Sequence, residues 1–374
     1  MKILQFGKFY PPNIGGMEKV IFNITEGLNE ENIKCDVLCS NDRLKSVVDI
    51  INNYKIYRTA SFGQLFSVSV SPIIIFWLFK LSRKKYYDII HFHHPDPMAV
   101  LALIIVRPKQ KIVLHWHLDI TKQKITYLLF RPLEKWLLRR ADSIIATSPN
   151  YLESSLPLKP FKEKCIVIPL GIDPPKEVSS TEVNNVIKRY NKKIIFALGR
   201  FTEYKGFEYL IESAKDLPED YVICIGGDGP LRNKYTTLIN RNQLSKKVLM
   251  LGRLSDEQIN QYYKACNVFC LPSISRNEAF GLVILEAMSF HKPVVTTKIP
   301  GSGTSWINLD NVTGLNVAPM DSKKLAEALI QICSDRNKAL DFGHAGFLRY
   351  KKLFTTDMML KDIISTYNSA LLFK

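Results

Sequence analysis

At 374 residues, with 46% hydrophobic and 23% charged side chains, the chain is longer than one hydrophobic core usually holds and too apolar for a disordered or collagen-like polymer. Its formal net charge of +16 is spread over both halves, a field that attracts phosphates, nucleic acid or an anionic membrane face. Seven scattered cysteines without a CxxC pair fit a reduced cytoplasmic protein and exclude a disulfide scaffold.

"KILQF" reads as a strand from the second residue, without the apolar core and cleavage site of a secretory signal. Strands rich in Val and Ile then recur at Cys35–Cys39, Asp88–Phe92, Ile112–His115, Ser143–Ala146 and Cys165–Ile168. Helical patterns fall at Gly16–Glu30, Met98–Val106 and Ile125–Arg139. Ala60 to Phe79 is uncharged, but its Gly, Gln, Ser and Pro leave an apolar run only from Ile73 to Phe79. That is far short of the ~20 residues of a membrane span. "PLGIDPPKEVSSTEVNN" (169–185) has the composition of a linker. Beyond it come strands Ile194–Leu198, Tyr221–Ile225, Val248–Leu251, Val268–Leu271 and Val294–Thr296. Helices near Gly206–Asp216, Leu231–Asn240, Asp256–Ala265 and Phe280–Phe290 separate them. Such alternation predicts two doubly wound α/β domains with parallel sheets, facing each other across a cleft, with the chemistry in the loops after the strands.

Those loops carry the motifs. "GKFYPPNIGGMEK" (7–19) is no GxGxxG fingerprint; Gly15–Gly16 open a helix whose free amides suit a phosphate, or form a plain turn. In "GRFTEYKG" (199–206) Arg200 and Lys205 flank a helix start, placed to neutralise a diphosphate or simply to be solvated. The glycines of "IGGDGPLRNKY" (225–235) let a ring or phosphate approach the backbone, or serve tight turns. In "SRNEAFGLVILEAMSF" (275–290) two carboxylates, Glu278 and Glu286, interrupt an apolar helix, and a buried carboxylate needs several donors. A ribose and a sugar supply such hydroxyls, with the amides of Phe280, Gly281 and Leu282 left for phosphate. The plainer alternative has Glu278 favouring the helix dipole and Glu286 pairing with a lysine.

"EAFGLVILEAM" resembles the E-x7-E signature of the retaining nucleotide-sugar glycosyltransferases of family 4, which have the GT-B fold. "YPPNIGGMEK", "ADSIIATSPNYLESS", "VIPLGID", "GRFTEYKG", "GDGPLR" and "KPVVTTKIPGSG" are similar to further family segments in the usual order, so the resemblance spans the chain. It implies an N-terminal acceptor-binding Rossmann-like domain over 1–172, with a terminal helix at about 357–374 packing back on it, and a nucleotide-sugar domain over 173–356. It also implies roles. Arg200 and Lys205 bind the donor diphosphate, with Gly15 and Gly16 approaching it from the other domain. Glu286 holds the ribose, Leu254 packs the base, and Glu278 meets the transferred sugar beside Ala279, Phe280, Gly281 and Leu282. In "LHWHLDI" His117, two residues before Asp119, matches the family's active-site histidine better than His115 does. Glu18, His94 and Asp119 fall on the acceptor side.

The chain has no Asp-x-Asp, so cations and helix amides must absorb the leaving charge; no cofactor is expected. "HFHHPDP" (91–97) resembles a zinc cluster, but crowded histidines can equally line an acceptor site, and with no matching Cys pair no metal is expected. The apolar "IIIFWLFK" (73–80) and basic "RKKYY" (83–87) suit the inner face of a membrane and a polyprenyl-diphosphate-linked saccharide in O-antigen-like synthesis, or else an internal helix with solvated lysines. GDP-mannose is the first donor expected, with UDP-hexose or UDP-N-acetylhexosamine as the alternative. A two-domain NAD-dependent dehydrogenase lacks its fingerprint, and nothing places the basic residues on one nucleic-acid recognition helix.

Overall fold

The computed structural model describes residues 1–13, 15–65, 68–83, 86–120 and 124–372. The chain divides into two units, Met1–Gly171 with Thr356–Lys374, and Ile172–Thr355. In the first the order is β1 (Lys2–Phe6), α1 (Gly16–Glu30), β2 (Lys34–Ser40), β3 (Val47–Ile51), β4 (Tyr54–Thr59), β5 (Gln64–Leu65), β6 (Val68–Ser69), α2 (Ile73–Arg83) and β7 (Ile89–His94). Then follow α3 (Pro97–Val106), β8 (Lys111–Trp116), α4 (Lys124–Arg140), β9 (Ser143–Ala146), α5 (Pro149–Ser154) and β10 (Cys165–Val167). Eight strands form one sheet, β10-β9-β8-β7-β1-β2-β4-β3, parallel except at the β3–β4 pair. Ile3, Leu4, Phe6, Ile89, Phe92, Ile112, Val113 and Leu114 have at most 1% exposure, as expected of strands covered on both faces. The β3–β4 hairpin escapes the sequence reading. Its turn residues Asn52 and Asn53 both have positive φ, 44° and 71°, the type I′ signature that Asn tolerates.

The second unit runs α6 (Ser180–Tyr190), β11 (Lys193–Leu198), α7 (Phe207–Ser213), β12 (Tyr221–Gly226), α8 (Arg232–Arg241), β13 (Val248–Gly252), α9 (Asp256–Ala265) and β14 (Val268–Leu271). After these come α10 (Leu282–Ser289), β15 (Val294–Thr297), α11 (Thr304–Ile307), β16 (Gly314–Val317), α12 (Ser322–Ser334) and α13 (Arg336–Leu353). Its sheet, β13-β12-β11-β14-β15-β16, is wholly parallel. One core holds it, including Ile195, Ile223, Val268, Val295, Leu325 and Leu329. The expected linker over 169–185 is partly wrong: residues from Ser180 onward begin α6. Val183, Val186 and Tyr190, spaced i, i+3, i+7, form its packed stripe, and Tyr190 Oη lies 2.7 Å from Tyr262 Oη of α9. The other faces of α6 are polar, which gave the segment its linker composition.

The last helix, α14 (Thr356–Leu372), belongs to the first unit. It packs close on α1 because Gly27 has no side chain: a Cβ there would lie 2.1 Å from Leu360 Cδ1. Residues 373 and 374 of the helix expected at the terminus lie outside the described residues. No helix among the described residues is long and apolar enough to cross a membrane. In each sheet the strand order reverses at one point, between β7 and β1 and between β14 and β11. There the loops leaving neighbouring strands diverge, and ligands of open α/β sheets bind.

Candidate active site

In the second unit the loops after β11 and β14 flank its reversal point. After β11, Phe201 is fully buried and edge-on to Tyr235, anchoring a 3-10 turn over Glu203–Lys205. Gly206 ends that turn at φ +63°, and a Cβ there would lie 2.3 Å from the Pro272 carbonyl oxygen. Only glycine permits both the conformation and this approach of the two loops. The backbone N–H of Ile274 donates to the Tyr204 carbonyl across the same seam (2.8 Å).

The seam brings Lys205 and Glu278 together. Both are 7% exposed; Lys205 Nζ donates to Glu278 Oε2 at 2.6 Å, and Ser273 Oγ donates to the same oxygen at 2.8 Å. Glu278 Oε1 accepts no hydrogen bond from a described residue. Burial pulls the Lys205 ammonium towards neutrality, but Glu278, Tyr204 and Glu286 together outweigh it and hold the ammonium above its usual range. Arg200, by contrast, is exposed and makes no side-chain hydrogen bond or ion pair with a described residue. The sequence reading treats the two cations alike and does not foresee the Lys205–Glu278 pair. Spacing within a loop carries no information about which carboxylate a strand neighbour will present.

Beyond Glu278, Ala279 and Phe280 are buried, and Ser302 Oγ donates to the Glu278 carbonyl. Gly281, at φ +94°, is the N-cap of α10, so the helix begins at Leu282, two residues later than the pattern suggests. The backbone N–H groups of Phe280, Gly281 and Leu282 donate to no described residue. Glu286 is half-buried on α10 and accepts from the Tyr263 hydroxyl at 2.9 Å. Burial and the Glu286 charge raise the Tyr263 phenol well above its ordinary range, so it remains a donor. A tyrosine on α9 supplies this bond. Leu254, after β13, helps line a cavity of about 430 Å³ with Tyr190, Leu249, Leu251, Gln258 and Tyr262.

In the first unit, Gly15 is the extended N-cap of α1 and Gly16 its first residue. The half-buried Glu18 side chain folds over them: a Cβ on Gly15 would lie 2.1 Å from Glu18 Oε2. Burial raises the Glu18 carboxyl pKa, partly offset by its own backbone N–H and by Lys8. Ile14 lies outside the described residues.

At the ends of β7 and β8 stands a row of near-parallel imidazoles. His91 stacks on His93 (centroids 4.6 Å), His93 on His117 (5.2 Å) and His115 on His117 (4.3 Å). His115 is fully buried, and neither of its nitrogens has a partner among the described residues; His117 retains 7% exposure. Of the two, His117 is the one that reaches the surface. His94 is fully buried, stacked on Trp116 at 3.9 Å and 3.4 Å from Glu134 Oε1. Asp119 is occupied structurally: its Oδ1 accepts from Trp116 Nε1 (2.8 Å) and Ser155 Oγ (2.7 Å). His91, His93 and His115 each offer a ring nitrogen within 4.8 Å of the others. His93, however, spends both nitrogens, Nδ1 on His117 and Nε2 on Gln5 Oε1. Among the described residues that leaves two imidazoles of this group uncommitted, against the three or four protein ligands of a zinc site.

Two doubly wound units, each with a mainly parallel sheet whose order reverses once, are the plan of the GT-B fold. Residues 14–176 match the Glycosyltransferase Family 4 model and residues 179–349 the Glycosyl transferases group 1 model. The chain is 32% identical to O-antigen chain mannosyltransferase C of Escherichia coli over 99% of both chains. It is 29% identical to a D-rhamnosyltransferase of Pseudomonas aeruginosa over 95% of itself and 92% of that protein. Its fold is similar to that of sucrose-phosphate synthase from Thermosynechococcus elongatus, with a TM-score of 0.82 at 20% identity over 100% of both chains. The chain belongs to the family 4, group 1 glycosyltransferases.

Proposed function

We propose that the enzyme transfers a hexose, with mannose from GDP-mannose as the first assignment, to a lipid-linked saccharide in O-antigen-like polysaccharide synthesis. Transfer retains anomeric configuration and proceeds without a metal ion or other cofactor. The observation that carries this reading is full-length similarity to a mannosyltransferase of O-antigen chains, combined with the Lys205–Glu278 pair beside Glu286.

The second unit takes the donor. Arg200 and the Lys205 ammonium face the diphosphate, and the uncommitted amides of Phe280, Gly281 and Leu282 add the positive end of α10. Glu286, its second proton source being Tyr263, accepts from the ribose hydroxyls, and Leu254 borders the base. Glu278 offers Oε1 to a hydroxyl of the transferred sugar, while Oε2 stays tied to Lys205. As the sugar–phosphate bond lengthens, negative charge grows on the diphosphate, and these preorganised donors stabilise it without reorganising. The leaving phosphate helps take the acceptor proton, so no side chain need act as nucleophile. The first unit takes the acceptor, with His117 reading a hydroxyl and Gly15, Gly16 and Glu18 bordering the α1 terminus.

A membrane-borne acceptor fits α2. This helix buries Ile74 and Leu78 but exposes Phe76 (56%) and Phe79 (41%), with Lys80 and Arg83 in its last turn. An apolar recess of about 590 Å³ opens there between Pro72, Ile73, Ile75, Phe76, Phe79 and Ile105. Of the basic run beyond, Lys84 and Lys85 lie outside the described residues, and Tyr87 is buried, donating to Asp36 at 2.7 Å. We place the enzyme at the cytoplasmic membrane surface, peripherally bound. The test is hydrolysis and thermal stabilisation across GDP-, UDP-, ADP- and dTDP-linked sugars. GDP-mannose should give the largest response; selective turnover of a UDP-hexose would overturn the donor assignment.

A further inference from the structure

The histidine row of the first unit contains a hydrogen-bond chain whose polarity can be read link by link. His93 Nε2 lies 2.7 Å from Gln5 Oε1, an atom that only accepts, so the proton sits on His93 Nε2. A neutral His93 then carries a bare Nδ1, which lies 2.9 Å from His117 Nε2. His117 must therefore donate through Nε2. On the far side, Gln5 Nε2 points at the Tyr367 hydroxyl oxygen (3.4 Å), and that hydroxyl lies 2.5 Å from His91 Nδ1. Three links run one way: His117 to His93, His93 to Gln5 and Gln5 to Tyr367, while the direction of the Tyr367–His91 contact follows the His91 tautomer. Apart from His117, whose exposure is 7%, every member is fully buried, so no water competes for these protons.

We infer that Gln5, His93 and Tyr367 are positioning residues that hold His117 in the Nε2–H tautomer, leaving Nδ1 as a bare acceptor for a substrate hydroxyl. The assignment rests on the reading of His117 as the residue that meets the acceptor. It makes His117 an orienting acceptor, not a donor to the leaving group. It also makes the chain terminus a part of the site: α14 carries Tyr367, so the last helix holds in place a histidine 250 positions earlier in the sequence. Two further observations agree. Burial, followed by the effect of His94, lowers the His117 pKa to about 3, and burial with the neighbouring His91, His117 and His115 holds His93 well below its ordinary range. Both rings are therefore neutral at working pH, as the chain requires. His115, stacked against His117 but with neither nitrogen bonded to a described residue, takes no part in the chain.

The experiment is 15N NMR of the full-length protein labelled at histidine, with His117 assigned through single substitutions. The wild type should show His117 protonated on Nε2 and bare on Nδ1. His93→Phe, or Gln5→Met should the first fail to fold, removes the acceptor or the link behind it and should give His117 a mixture of both tautomers. The same variants should lose roughly tenfold or more in kcat at saturating nucleotide sugar, with the KM for that donor unchanged, as expected when a group that orients the acceptor hydroxyl is misplaced. Tyr367→Phe, two links farther away, should act in the same direction and less. A wild-type His117 protonated on Nδ1, or a tautomer unmoved by His93→Phe and Gln5→Met, overturns the inference. A tautomer that moves while kcat does not supports the hydrogen-bond chain and instead removes His117 from the acceptor site.

Discussion

Lys205 is an ammonium 7% exposed and paired with Glu278, so in the proposed donor site each residue would have a structural and a functional task. A buried charge without a partner costs several kcal/mol, so neither can be removed alone without consequence. Lys205→Ala should lower kcat by ~10²-fold or more at saturating donor, the size of effect seen when a charge-stabilising group is lost. It should also destabilise the second unit by about 3–5 kcal/mol, because Glu278 is left buried and unpaired. The double variant Lys205→Ala with Glu278→Gln separates the two effects. Denaturant unfolding should recover most of the stability while turnover stays low. Turnover close to wild type in Lys205→Ala would remove the diphosphate role.

At the scale of elements, the close approach of the loops after β11 and β14 depends on one left-handed residue, Gly206. Gly206→Ala should destabilise the protein by more than about 1–2 kcal/mol, the cost of the left-handed conformation alone, since the new Cβ also meets the Pro272 carbonyl at 2.3 Å. Urea unfolding measures the loss, and donor affinity should fall with it because the turn carries Lys205. Elements with strong periodicity and fixed function were legible. The strands β1, β2, β7 to β10 and β11 to β15, together with α1, α9 and the apolar α10, lie within a few residues of where their patterns place them, whereas β3, β4, β16, α12 and α13 fall where no element was read. Two of the misses share a physical reason. α6 exposes most of its surface, so three packed residues in eleven look like linker, and β3–β4 is an edge hairpin whose strongest signal is two asparagines. The candidate site divides the same way. The carboxylates, cations and glycine turns stand out by chemistry and spacing, whereas Tyr263, Ser273, Gln5 and Tyr367 become visible only when non-adjacent elements meet.

Across the whole molecule two bulk properties follow from the same architecture. The first is a dependence of stability on acidity. Burial, with contributions from neighbouring rings, lowers His91 and His117 to about 3 and holds His93 and His115 well below their usual range. In the unfolded chain these residues titrate near 6.5. Between those values the unfolded state binds more protons, so the stabilisation is complete above about pH 6.5 and drains away as pH falls towards about 3. Each histidine contributes a slope of about 1.4 kcal/mol per pH unit. His115→Leu should flatten the denaturation profile by one proton without touching the Gln5–Tyr367 chain, and an unchanged slope would mean His115 titrates freely. The second property is attraction to anionic surfaces. On the membrane placement proposed above, a net charge of +16 would draw the enzyme to a negatively charged bilayer over a Debye length, and the α2 ridge of Phe76 and Phe79 would supply the apolar contact that gives dwell time. Co-sedimentation with vesicles containing anionic phospholipid should therefore show two separable losses. Raising salt from about 0.05 to 0.5 M should weaken binding of wild type and of Phe76→Ser/Phe79→Ser alike, because it screens the long-range term in both. At low salt the double variant should still bind several-fold more weakly than wild type, because the burial of two aromatic rings is not screened. If the double variant bound as well as wild type at every salt concentration, α2 would not be the face that meets the membrane, and the acceptor lipid would have to be sought elsewhere on the first unit.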